Sequence, residues 1–333
     1  MDLTHAKCRG DNMITFFACP KPFQGHTDII QRNAIESWTL LRPKPEVILL
    51  GIDKGIAEIC QEFGLIHIAE VDRNEYGTPL VNSIFQIGQA RANHSVVCYI
   101  NSDIMLMSDF MRAVEIVAAR MPTFLILGQR WDVDVTETWN FDSIDWEKTL
   151  QGLLLRKGKL HEPNGIDFFC FPRDMFTDIP PFAIGRFAWD NWLVWQAWAK
   201  GVPLVDITEA VAVVHQNHEY AASTIRKINV QHFGSRGYSD PSGTRKRIHG
   251  YSVELGPEVQ RNVSLVPNSK NLNIWASTWM LNKKGRVVRR WQKLTPSYLY
   301  YQLKCIAPLY WPTFGRLVRL MLTAKAALLK ERF

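Results

Sequence analysis

The chain has 333 residues, 47% hydrophobic and 21% charged, enough for one large α/β domain with appendages or for two small domains. Its net charge of +7 is unevenly spread: residues 283–333 hold 12 Lys/Arg against Glu331 alone, while the other 282 residues hold 27 Lys/Arg against 31 Asp/Glu. A mildly acidic body argues against a nucleic-acid groove, no apolar run is long enough to span a bilayer, and the first twelve residues show no signal-peptide pattern.

Met13 to Ala18 (MITFFA) is an apolar run that predicts a first strand. Cys19-Pro20-Lys21-Pro22 breaks it, and the two prolines restrict the backbone to an ordered loop. Ile29, Ile30, Ala34 and Ile35 then recur at helical spacing and carry a helix on to Trp38 and Leu41. Val47 to Leu50 predicts a second strand ending at Gly51-Ile52-Asp53-Lys54-Gly55, followed by a short helix (Ile56 to Phe63) and a short strand (Leu65 to Ala69). Thr78 to Ala92 predicts a helix leading into the central stretch, Val96 to Met107 (VVCYINSDIMLM). There an apolar, β-branched run stops at Asn101-Ser102-Asp103 and then resumes, as in a strand covered on both faces. Open α/β sheets bind ligands at the carboxyl ends of such strands. A carboxylate in that position needs a cation, a donor or a metal to offset its desolvation. A plain turn at Ser102-Asp103 is the alternative from this stretch alone.

Ser108 is the predicted N-cap of a helix running to Arg120, with Val114, Ile116 and Val117 as core candidates. Phe124 to Leu127 predicts a strand ending at Gly128-Gln129-Arg130-Trp131-Asp132. Residues 133–164 mix acids and aromatics with a basic cluster at Arg156, Lys157 and Lys159, and read as an irregular insertion over the ligand edge. Ile166 to Phe171 predicts a strand ended by Pro172. The helix that follows carries Trp189, Trp192, Trp195 and Trp198 at every third position, a stripe better suited to core packing than to a sugar platform. Pro203 to Ile207 predicts a strand, and the run Ala210 to Val214 ends at His215-Gln216-Asn217-His218. Alternating strands and helices predict a mostly parallel sheet with helices on both faces. The six cysteines form no pair with zinc or redox spacing, which suits a reducing, cytosolic location.

The ordered set FFACPKPF, LLGID, YINSD, FAWDNW and VVHQNH, spanning roughly Met13 to Tyr220, resembles the GT-A fold of nucleotide-sugar-dependent glycosyltransferases, specifically the large inverting group. The resemblance implies an α/β fold with a Rossmann-like central sheet, a nucleoside diphosphate sugar as donor and a divalent metal, Mn²⁺ or Mg²⁺. Ala18 to Pro20 match the loop that lies against the nucleobase, and Thr78 is counted with the nucleotide-binding positions. Asp53 matches the acid that accepts hydrogen bonds from base or ribose, although a turn aspartate is an equal reading. Asp103 matches the last acid of the Asp-X-Asp motif that holds the metal across the two phosphates. Asn101 stands in place of the first acid, able to bond ribose but leaving the site one charge poorer. Asp190 matches the general base that takes the acceptor hydroxyl's proton, with helix capping as the alternative. Trp189 replaces an acid before it, as an apolar wall for a sugar face. His215 matches a histidine that completes the metal shell or touches the pyrophosphate, and His218 could take the same job. Gly234 to Gly250 reads as a lid whose Arg245, Lys246 and Arg247 neutralise the leaving diphosphate, or as a solvated loop.

The expected organisation is an N-terminal extension (1–12), the glycosyltransferase domain (13–235), a lid region (236–282) and a basic, aromatic helical tail (283–333). Lys/Arg interleaved with Trp and Tyr in that tail suits an anionic membrane surface. The activity implied is inverting, metal-dependent sugar transfer to a hydroxyl of a glycan or lipid-linked acceptor, in the cytoplasm or peripherally on a membrane's cytoplasmic face. Two rivals remain. A sugar-nucleotide pyrophosphorylase would want a glycine-rich, basic phosphate loop after the first strand, and CPKPFQG is a poor one. A non-catalytic relative that binds a glycan or a partner is kept open by Asn101.

Overall fold

The computed structural model describes residues 14–163, 165–186, 188–218, 225–227, 245–248, 251–255, 257–266 and 272–289. In chain order the elements begin β1 (Ile14–Ala18), α1 (Gly25–Thr39), β2 (Glu46–Leu50), α2 (Ile56–Phe63), β3 (Ile66–Ile68), α3 (Val81–Arg91), β4 (Val96–Ile100) and β5 (Ile104–Met105). They continue α4 (Ser108–Arg120), β6 (Leu125–Leu127), β7 (Arg130–Val133), α5 (Trp146–Lys157), β8 (Lys159–Leu160), β9 (Phe168–Pro172), α6 (Trp189–Ala199), β10 (Leu204–Asp206) and β11 (Val213–Gln216). After these come β12 (Ile225–Lys227), β13 (Arg245–Ile248), β14 (Tyr251–Leu255), α7 (Pro257–Leu265), β15 (Trp279–Leu281) and β16 (Val287–Arg289).

The main sheet runs β16-β15-β10-β6-β9-β4-β1-β2-β3. β1 is parallel to β2 and β4, β2 to β3, and β10 to β6 and β15. β9 is antiparallel to both β4 and β6, so β4 and β6 point the same way. The carboxyl ends of β1, β2, β4, β6 and β10 therefore lie along one edge. From β1 the chain steps out to β2 and β3 and then returns to β1's other side as β4. That reversal opens a crevice between the carboxyl ends of β1 and β4, with Cys19-Pro20 on one lip and Asn101-Asp103 on the other.

Burial follows from the apolar runs. β1 is buried along its whole length and β4 over its last four residues. Helices cover both faces, one core layer containing Phe16, Trp38 and Phe110, the other Phe17, Phe85 and Tyr99. Gly88 of α3 permits the second layer, since a Cβ there would collide with the Phe17 ring. A second, four-stranded sheet, β5-β11-β7-β8, grows from segments leaving the same edge: β5 continues β4, and β7 continues β6.

The structure corrects several expectations. Ser108 is the first residue of α4 rather than its cap. Met107 holds the cap position, and Ser108 bonds the Glu147 carboxylate through both its N–H and its hydroxyl, each at 2.8 Å. The insertion at 133–164 contains the regular helix α5, which buries Leu150 and Leu154 against the second sheet. The Ile166 to Phe171 run forms β9 antiparallel in an otherwise mostly parallel interior, because an apolar run reports burial and not direction. The 210–214 strand is shifted to Val213–Gln216, which puts His215 inside β11 rather than after it. The predicted Thr78 to Ala92 helix begins only at Val81, since Leu80 makes a bridge to Ala183.

Part of the expected lid and tail belongs to the sheet: β15 pairs with β10, and β16 closes the edge. α7 is tied down by Asn262, whose side-chain amide exchanges two 2.9 Å hydrogen bonds with the Ala183 backbone. Of the stretch Gly234 to Gly250, only β13 is described, paired with β14. The N-terminal extension and the tail beyond Arg289 lie outside the described residues. Among the described residues no helix is long and apolar enough to cross a membrane.

Candidate active site

Ile100 ends β4, and Asn101-Ser102-Asp103 carry the chain over the crevice into β5. The Asp103 carboxylate meets two histidines there. His218 Nε2 is hydrogen-bonded to Asp103 Oδ2 at 3.0 Å, and His215 Nε2 lies 3.9 Å from the same oxygen. The ligand atoms of all three residues fall within 4.8 Å of one another. Register explains the meeting: β11 lies between β5 and β7, with His215 opposite Ile104 on one side and Asp132 on the other. Only 4% of the His215 side chain, 9% of His218 and 15% of Asp103 is exposed.

Asp103 Oδ1 is buried and has no hydrogen-bond partner among the described residues. An orphaned, charged oxygen of this kind costs more than the roughly 1–3 kcal/mol of a neutral buried group, and a cation seated against it removes that cost. One carboxylate oxygen and two imidazole nitrogens suit a divalent transition ion better than Mg²⁺, which prefers an all-oxygen shell. The three residues fit a metal such as Mn²⁺. Burial alone would push the Asp103 carboxyl up, but the His218 hydrogen bond and the charge of both histidines outweigh it and hold it well below the usual carboxylate range. For His215 burial works downward, yet Asp132 and Asp103 together raise its pKa above the ordinary value. A metal would therefore displace protons, and its affinity would fall as pH falls.

Behind this cluster runs a chain of paired polar and charged groups that the motifs did not reveal. His215 Nδ1 sits 3.0 Å from Asp132 Oδ1, and His161 Nδ1 sits 2.6 Å from Asp132 Oδ2. A proton on His215 Nδ1, facing Asp132, leaves Nε2 as the lone-pair side toward Asp103. Arg130 spans two carboxylates, Nε to Asp132 at 2.9 Å and Nη1 to Asp167 at 2.7 Å. Asp167 Oδ1 accepts a 2.7 Å bond from Asn101 Nδ2, and Asn101 Oδ1 accepts from the Tyr99 hydroxyl at 2.9 Å. An aspartate at 101 would face the Asp167 carboxylate. Asparagine is the near-isostere that can donate there, which gives a physical reason for the departure from the acidic pattern.

Asp190 lies in the first turn of α6. The preceding Trp189 is 6% exposed, with its ring 5.3 Å from Tyr99 and 5.7 Å from Phe169. Trp189 is thus a core anchor that fastens α6 against β4, not the sugar-facing wall expected of it. Ala188, at the N-cap, adopts a left-handed φ of 88°, a strained conformation for a residue with a Cβ. The Asp190 carboxyl is pushed up to about 7, first by burial and then by the Asp167 charge, against hydrogen bonds from the Asn191 and Asp190 backbone and the attraction of Arg130. Capping contacts and a perturbed carboxyl coexist at this residue.

The other expected positions form a separate corner. Asp53 Oδ2 pairs with Arg73 Nη2 at 3.1 Å, beside Cys19. Burial, then the Asp53 charge, pushes the Cys19 thiol up to about 12, so it is not a nucleophile at neutral pH. Ala18 is fully buried in the core, and Pro20 is buried in a loop pinned to α1 by two bonds between Lys21 and Gln31. Thr78 bonds Asn74 and Glu258 rather than the Asp103 cluster. The structure therefore gathers Asp103, His215 and His218, adds Asp132, His161, Arg130 and Asp167 behind them, and joins Asn101 to Asp167.

No protein-family model matches the chain, and no curated protein does. Solved structures similar to it include the mannosyltransferase PcManGT from Pyrobaculum calidifontis in complex with GDP-Man and Mn²⁺, 13% identical, covering 63% of this chain and 58% of that one at a TM-score of 0.41. TarS 1–349 from S. aureus in complex with UDP-GlcNAc is 9% identical, covering 65% and 62%, at 0.43. Glucosyl-3-phosphoglycerate synthase from Mycobacterium tuberculosis in complex with Mg²⁺ and UDP is 12% identical, covering 62% and 72%, at 0.37. The chain spans about three fifths of the length of the first two.

Proposed function

We propose that the protein is an inverting glycosyltransferase that moves a sugar from a nucleoside diphosphate donor to a hydroxyl of a glycan or lipid-linked acceptor. The observation that carries this reading is the buried Asp103–His215–His218 cluster at the switch point of the sheet, with one carboxylate oxygen unpartnered. Asp103, His215 and His218 would hold a divalent ion, Mn²⁺ in preference to Mg²⁺, and such an ion supplies positive charge for the donor's two phosphates. Asp53, with Cys19 and Pro20, lines the nucleoside corner. Asp190 takes the proton of the acceptor hydroxyl, because a carboxyl pushed up to about 7 is a stronger base than an ordinary aspartate. Tyr99 and Asp167 hold Asn101, and through it the turn that presents Asp103, in one geometry.

Calorimetric titration with UDP and GDP, each with and without Mn²⁺, tests the reading. Binding should require the metal, and one nucleotide sugar of a small panel should be hydrolysed slowly without acceptor. Metal-independent binding, or none, overturns it.

A basic tail would complement the catalytic body. The +11 balance of residues 283–333 would hold the protein reversibly on an anionic cytoplasmic leaflet, consistent with polysaccharide biosynthesis, at about 1 kcal/mol for each Lys/Arg near the surface. The full chain should sediment with anionic vesicles and not with neutral ones, and less as salt rises. Equal partitioning removes the membrane part and leaves the transferase part standing.

A further inference from the structure

The segment after β7 and the helix α5 enclose a cleft of about 410 Å³ that the metal cluster does not use, within the ~300–1,000 Å³ usual for small-ligand sites. Two indoles, Trp139 and Trp146, line it together with Asp134, Glu137, Asn140 and Thr149. Both tryptophans are half-buried, rooted in the apolar cluster beneath the second sheet, and Trp146 is braced edge-on by Phe141 at 5.1 Å. Glu137 and Asn140 are exposed, and so free to reorient toward a ligand. The 134–139 segment itself is fixed to α1: Asn33 bonds the Glu137 carbonyl and the Trp139 N–H, and His26 bonds the Val135 carbonyl. The cleft is thus a held surface on a rigid frame.

Its chemistry selects a ligand. The lining holds two acids, Asp134 and Glu137, and no Lys or Arg, which disfavours any phosphate or uronate. Flat apolar rings flanked by carboxylate, amide and hydroxyl groups match a molecule with apolar C–H faces and a rim of hydroxyls. One wall of the cleft is tied to the segment that carries His218. Asp134 accepts a 2.7 Å bond from Asn217 Nδ2, and Asn217 is the neighbour of His218. We infer that this cleft binds a neutral saccharide. Its assignment as the place where the acceptor glycan is held rests on the glycosyltransferase reading; saccharide binding as such does not.

Saturation-transfer NMR on the full chain decides it, with neutral trisaccharides of glucose, mannose, galactose and N-acetylglucosamine as probes and trigalacturonate as the anionic control. At least one neutral probe should bind with a Kd of about 1 mM or tighter, and the anionic one should not. The double variant Glu137→Gln, Asn140→Ala changes only exposed side chains and should weaken binding roughly tenfold, while Trp146→Ala should weaken it further. Mn²⁺-dependent UDP or GDP binding should be unchanged in both variants, which also reports that they fold. If Trp146→Ala does not fold, the double variant alone decides between binding and no binding at the cleft. Binding of trigalacturonate in preference, binding of no neutral probe, or binding indifferent to the double variant overturns the inference. Saccharide binding without any nucleotide binding would sink the transferase reading, and the acceptor assignment with it, and leave saccharide binding at the cleft intact.

Discussion

Asp103→Ala should abolish metal-dependent binding of a nucleoside diphosphate while the chain stays folded. The expected loss exceeds the roughly 10–100-fold typical of removing an outer partner of a ligand, because Asp103 is the carboxylate of the three-residue cluster. Two neutral imidazoles would remain, with no anion to hold the ion against water. The variant gives up contacts to both histidines that outweigh the cost of burying the carboxylate, so its melting temperature should fall. The main-chain pairing of β5 with β11 is untouched, and the fold should survive. Removing the carboxylate also relieves His215 of a charge that favours its protonated form, so His215 should titrate lower in the variant. Asp132→Asn provides the graded comparison. It keeps the shape beside His215 but removes the charge that orients and strengthens that ligand, so Mn²⁺ affinity should fall by roughly 10–100-fold. Calorimetry of Mn²⁺ and UDP or GDP against the three proteins reads both effects. An Asp103→Ala protein with unchanged metal dependence would remove the central assignment.

Much of this cluster could be anticipated from local pattern, and its support could not. Asp103 stands out because a buried strand meets a polar break, and His215 because a histidine ends an apolar run. Each signal lies within a few residues of chain. Asp132, Arg130, His161 and Asp167 come from separate stretches, and what joins them is the pairing of β11 with β7 and of β9 with β4. No local spacing reports a pairing between strands so far apart in the chain. The direction of β9 was hidden for the same reason. α5 was missed, although Glu147 in its first turn and Arg156 and Lys157 in its last form the arrangement that complements a helix dipole. Its narrow apolar stripe and the surrounding acids and aromatics obscured it. Trp189 was misread because a tryptophan beside a candidate base has the same appearance in sequence whether it faces a ligand or the core.

Asp190→Asn should lower turnover by roughly 10²–10⁴-fold, the usual contribution of a positioned general base, with donor binding nearly unchanged. Asparagine keeps the shape of the side chain and its place in the first turn of α6, but it cannot accept the proton. The wild-type rate should rise with pH through about 7, where the carboxyl ionises, and the variant's residual rate should not show that rise. Stability should move the opposite way. Asp190's ordinary value is 3.8, and in the folded chain it lies near 7. Below that window both states carry the proton. Within it the folded state alone does, so raising the pH draws the equilibrium toward the unfolded chain, and above it the folded protein holds a partly buried, unfavourable charge. Asp190→Asn removes this penalty, so its melting temperature should exceed the wild type's above pH 7 and fall below or match it near pH 4. A carboxylate kept at a cost to the fold, next to a strained Ala188, is the pattern expected of a residue retained for chemistry. The anomeric configuration of the transferred sugar, read by proton NMR on the first product formed, completes the test. A retained configuration, or near-normal turnover in the variant, would return Asp190 to the role of a helix cap.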